Sequence, residues 1–146
     1  MSVATDRSSR VLRSTLAVFA GLVFIIATHT GTDEVLHRLQ VFPPWGEPMN
    51  DPSLNLLALA YRCAFSVLGC YLTARLVPYA PMGHALTLGL IGTALSTAGA
   101  IAASGMNLGP SWYPIALVLS ALPCALLGGL LYRAIHQPKA KVSAAP

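Results

Sequence analysis

LLALAYRCAFSVLGCYLTARLVPYAPMGHALTLGLIGTALSTAGAIAAS, residues 56–104, consists of two long apolar runs joined by a short proline-bearing turn. The first run, Leu56 to Val77, covers 22 residues. At about 1.5 Å per residue it is roughly 33 Å long as a helix, enough for a bilayer core of about 30 Å. Pro78 and Pro81 stop it, because proline lacks the N–H that a continuing helix needs. The second run starts after His84 and continues to Ser104, where Gly105, Asn107, Gly109 and Pro110 supply turn chemistry. In lipid every backbone polar group must be bonded internally, so the pair reads as a helical hairpin crossing a membrane twice.

Working outward, a further apolar segment lies on each side. Upstream, Leu16 to Ala27 follows Arg7, Arg10 and Arg13 and runs on as THTGTDEVLH without a small-x-small cleavage site, which favours an uncleaved signal-anchor helix over a signal peptide. Downstream, Trp112 to Tyr132 forms the fourth segment, with Pro114 in its first turn and Pro123 at a position where a kink is expected. The predicted fold is all-α, a four-helix transmembrane bundle in one domain, residues 14–134. Its helices run about 14–38, 55–77, 84–104 and 111–134, between tails 1–13 and 135–146. Composition agrees: of 146 residues 55% are hydrophobic and 10% charged, with a mean hydropathy of +0.64. A soluble domain is about 25% charged, so a soluble globule is excluded. Cys63, Cys70 and Cys124 lie inside apolar segments without CxxC spacing and read as small packing residues.

The net charge of +4 is distributed as a topology signal, so a nucleic-acid partner is not expected and the lipid bilayer is. Arg7, Arg10, Arg13, Arg75, Arg133, Lys139 and Lys141 fall on one side, with Arg38 alone on the other and Arg62 within a span. Lys and Arg are retained in the cytoplasm, which predicts both termini there. Trp45, Trp112 and Tyr113 then occupy the outer interface, and Tyr79 and Tyr132 the inner one. The sizeable external segment, residues 40–53, carries Pro43, Pro44, Pro48 and Pro52 and is expected as an irregular loop, anchored by Phe42, Trp45 and Met49 or capping the bundle.

Helix association in lipid depends on close approach, and small residues on one face mark the contact. Ala85, Gly89, Gly92, Ser96, Gly99 and Ala103 form such a stripe on the third span, which is therefore expected to be central. On the fourth, Gly128 and Gly129 allow a neighbour to come close or add flexibility.

Arg62 is the costliest residue to insert, at about 2.5–3.5 kcal/mol near a helix centre, and is expected to face inward with a partner. Ser66, Gly69 and Thr73 continue its face. The partner is sought at the end of the first span, where His29, Asp33 and His37 are spaced i, i+4, i+8 and Glu34 lies beside them. Asp33 or Glu34 would pair with Arg62, leaving the other carboxylate and the imidazoles available. Three readings of this cluster are open: an ion-paired helix end, a proton relay or anion site, and a metal site. His29, Asp33 and His37 are the right ligand types for zinc or iron. However, i to i+8 spans about 12 Å along a helix, so both imidazoles cannot reach one ion and neither metal nor cofactor is predicted. Arg75 compensates the C-terminal dipole of the second span and snorkels to the inner headgroups, with a grip on an anionic lipid headgroup by Arg75 and His84 as the alternative reading. No nucleophile elbow, P-loop, GxGxxG, HExxH or CxxCH occurs, so no enzymatic chemistry is predicted.

Two stretches, GCYLTARLVPYAPMGHALTLGLIG (69–92) and LGPSWYPIALVLSALPCALLGG (108–129), resemble a group of small bacterial multi-pass membrane proteins, with Cys70 standing where a second glycine is expected. The resemblance implies a bacterial inner-membrane location and four spans, and carries over no activity or catalytic residue. The leading expectation is a structural or accessory membrane subunit, packing as a homo-oligomer or with a membrane protein partner. A small permease or channel gated by the outer cluster is the alternative, and a metal-dependent membrane enzyme a remote third.

Overall fold

The computed structural model describes residues 2–136, with side chains from Arg7 onward. Four helices follow one another: α1 (Ser2–Arg38), α2 (Pro52–Leu76), α3 (Pro81–Ala103) and α4 (Trp112–His136). All four are long and apolar enough to cross a bilayer, and there is no strand among the described residues. The chain is an all-α four-helix bundle of the multi-pass membrane class.

Several helix boundaries differ from the sequence expectation, each for a local reason. The basic segment expected as a tail is an extension of α1, which begins at Ser2; nothing between Ser2 and Arg13 breaks a helix. α2 starts at Pro52, with proline in the first turn where its missing N–H is harmless. Asp51 caps it, accepting from the Ser53 amide at 2.8 Å and the Ser53 hydroxyl at 2.6 Å. These bonds, the hydroxyl first, hold the Asp51 carboxyl below its usual pKa. α3 likewise opens on a proline, Pro81, after Ala80 takes a left-handed conformation with φ of 44° that turns the chain sharply out of α2. Pro123 lies inside α4, which continues through it to His136. Lys139 and Lys141 lie outside the described residues.

Antiparallel order places the α2–α3 turn and the described ends of α1 and α4 at one end of the bundle, called here the terminal end. The α1–α2 and α3–α4 loops share the other, the proline-loop end. α2 packs extensively on both α1 and α4, whose backbones do not come close to each other, and α3 lies chiefly on α4. The centre of the bundle is therefore α2. α3 is buried only over its first half, at Ala85, Leu88 and Gly89, and its contact with α1 is slight.

Close approach explains this arrangement. A Cβ on Gly128 of α4 would lie 2.6 Å from the Val67 carbonyl and 2.8 Å from the Tyr71 amide, so α4 rests on the α2 backbone. Gly21 and Gly69 do the same between α1 and α2, where a Cβ on either would fall within about 3.1 Å of the other's carbonyl. Gly89 is covered by Ala125, and Gly129 by Met82. Gly99 faces open space, with nothing within 4 Å of its would-be Cβ. The core of Cys70, Ala74, Ala85, Leu88 and Ala125 is thus made of small residues around one leucine. Thr73 is buried there and donates to the Ala17 carbonyl at 3.3 Å, a polar tie between α2 and α1 near the terminal end. Cys70 and Cys124 are buried and Cys63 half-buried, all as free thiols.

Candidate functional site

The polar cluster forms where the last turns of α1 cross α2. Arg62 sits eleven residues beyond the Asp51 cap, about 16 Å along the helix. α1 remains helical past Gly31, so His29 and Asp33 lie one turn apart on the face turned to α2. Arg62 Nη2 donates to Asp33 Oδ2 at 2.5 Å, and the Tyr61 hydroxyl donates to Oδ1 of the same carboxylate. His29 Nε2 donates to the Arg62 carbonyl at 3.1 Å, a bond that requires the proton on Nε2. Phe65, one turn further, packs beside both the His29 and Tyr61 rings. The Arg62 and Asp33 side chains are only 26% and 14% exposed. In such surroundings the attraction between the charges is strong, and each half becomes costly if the other is removed.

The remaining candidates do not join this network. Glu34 pairs with Arg38 at 2.6 Å on the exposed side of α1, an i,i+4 pair of the kind worth about 0.3–0.5 kcal/mol. His37 turns to the proline loop. Its Nδ1 donates to the Pro43 carbonyl at 2.6 Å, and its ring lies 3.8 Å from Trp45 and edge-on to Phe42. The run His29–Asp33–His37 is therefore divided, one turn bonding to α2 and the next to the loop. Among the described residues no three His, Cys, Asp or Glu side chains converge on a point where a metal would sit.

Two residues that the sequence reading passed over complete the proline-loop end. Tyr61 is one; its signal was a phenol next to the intramembrane Arg62, level with the acids across the hairpin. Asn55 is the other, 1% exposed. Its Nδ2 donates to both the Met49 and Asp51 carbonyls at 2.8 Å, while the Met49 amide donates to the Leu108 carbonyl at 2.8 Å. The proline loop is thereby tied to the α3–α4 loop, and Phe42 is buried while Trp45 stays exposed. The loop caps the bundle through backbone bonds and the Asn55 side chain, and of the three expected anchors Trp45 is the most exposed, one face of its ring resting on His37.

The third-span stripe divides at its middle. Ala85 and Gly89 are buried against α4, and a Cβ on Gly92 would meet Ala121 at an ordinary 3.9 Å. Ser96 is half-buried, and Gly99 and Ala103 are exposed. No family model, curated protein or solved structure matches the chain.

Proposed function

We propose that this small multi-pass membrane protein is a structural or accessory subunit of a bacterial inner membrane, with both termini in the cytoplasm. The observation that carries the reading is the closure of the ionisable cluster on itself. Arg62, Asp33, Tyr61 and His29 are engaged with one another across α1 and α2, which is the arrangement of a clamp. The exposed small-residue face at the end of α3 supports the same reading, since a second copy or a partner helix can approach closely there. Arginines at the terminal end, Arg7, Arg10, Arg13, Arg75 and Arg133, support the orientation, and the resemblance of residues 69–92 and 108–129 supports the bacterial membrane.

The test is alanine at each carboxylate, read by assembly in the membrane. Asp33→Ala should lower the yield of folded protein and Glu34→Ala should leave it unchanged. A permease gated by this cluster would instead assemble normally as Asp33→Ala and lose flux, which would replace the present reading.

A further inference from the structure

The clamp leaves a cavity beside it unexplained. It measures about 170 Å³ and is lined by all four helices, with Leu117, Ser120 and Ala121 of α4 forming the wall opposite α1. On α2 it extends from Arg62 to Cys70, about 12 Å along the helix, and on α3 from Ser96 to Leu88 at matching levels. α1 and α3 meet at Gly21 and Leu88 and separate toward the proline-loop end. There the lining residues Ile26 and Leu95 are 52% and 53% exposed, so the cavity opens sideways between the two helices. In a bilayer that mouth faces lipid chains rather than water.

Its polar lining is His29, Arg62, Ser66, Ser96 and Ser120, of which His29 already donates to the Arg62 carbonyl and Ser120 to the Leu117 carbonyl. The Arg62 Nε is buried and meets no hydrogen-bond partner. The hydroxyls of Thr28, Thr93 and Thr97 elsewhere in the spans, and of Ser120 in the cavity lining, return to a carbonyl of the preceding turn. Among the described residues Ser66 and Ser96, which both line the cavity, make no such bond. An apolar cavity of about 150 Å³ takes up benzene, so this one is of the size of a single six-membered ring. The charge of Arg62 is already balanced by Asp33, so the ion pair has no net charge to offer an anion.

We infer that the cavity is a lateral binding site for a neutral, carbonyl-bearing ring on an apolar stem, the chemical class of a membrane quinone. The ring enters between Ile26 and Leu95, its oxygens accept from Ser66 and Ser96, and a small shift of the Arg62 side chain, which already lines the cavity, brings Nε to the same oxygens. The stem stays in the lipid. The site is one of binding, and it stands independently of the accessory reading, since it uses donors that the clamp leaves over.

The experiment titrates the purified full chain in detergent with a decyl-substituted benzoquinone, and in parallel with decanoate and a short-chain phosphatidylcholine. Saturable binding of the quinone alone is expected. Gly92→Leu, which fills the cavity without touching the clamp, should weaken it by at least about tenfold. Gly99→Leu, on the same helix beyond the cavity, should bind as wild type. Should Gly92→Leu fail to fold, the Ser66→Ala/Ser96→Ala pair decides, with weakened binding expected. Absence of saturable binding, or unchanged affinity in the decisive variant, overturns the site; saturable binding of decanoate or phosphatidylcholine instead overturns the neutral-ring assignment.

Discussion

α1 and α3 reach the proline-loop end with similar sequences and meet different fates. Each carries a glycine there, Gly31 or Gly99, flanked by threonines or alanines that permit close contact. Yet the end of α1 is held on α2, whereas the end of α3 is exposed from Thr97 to Gly99 and again beyond Ala100. The difference is one carboxylate. Asp33 reaches Tyr61 and Arg62, and α3 presents no charged group to its neighbours. Lipid tails are as apolar as leucine, so smallness alone supplies no drive to associate; it only allows what a polar bond or a tight backbone crossing enforces.

The comparison is broken most strongly by removing a charge from the clamp. Asp33→Ala or Arg62→Ala should destabilise the bundle by about 3 kcal/mol, because either leaves a largely desolvated charge unpaired. Thermal or denaturant unfolding in detergent reads this. Next comes the backbone crossing. Gly128→Ala drives a methyl into the Val67 carbonyl and should cost about 1–3 kcal/mol by overpacking, seen in the same unfolding measurement. Tyr61→Phe removes one donor but leaves the ion pair. Interhelical hydrogen bonds in membranes average about 0.6 kcal/mol and reach about 1.7, and a value in that range is expected.

The open helix sharpens the contrast from the other side. Gly99→Ala meets no neighbour and should stabilise α3 by up to about 1 kcal/mol through helix propensity alone. The smallest effect belongs to Asp51, fully exposed at the start of α2. Its folded pKa lies below the ordinary 3.8, so its capping contribution is present above that pH and disappears as the pH falls through the folded value. Amide exchange should therefore quicken at Ser53 and Leu54 on acidification while the core amides of α2 hold.

The architecture was legible in the sequence because span length and proline placement are one-dimensional signals. Four helices follow from them, and the pairing of Arg62 with an acid of the first span follows from antiparallel neighbours. The choice of Asp33 over Glu34 was not legible: adjacent helical residues point about 100° apart, and only the rotation of α1, set by Gly21 against Gly69, selects one. The division of α3 was hidden for a similar reason. Its small residues form an unbroken stripe in sequence, but α4 covers just the first half. Asn55 and Tyr61 escaped notice because their partners, a loop carbonyl and a carboxylate on another helix, exist only once the chain is folded.

The central claim, that the cluster is a clamp holding α1 to α2, is tested most directly by the double-mutant cycle of Asp33→Ala and Arg62→Ala in detergent. Coupling above about 1 kcal/mol, with the double variant much less destabilised than the sum of the singles, is the result expected. Additive or negligible effects, with both single variants folding as wild type, would contradict it.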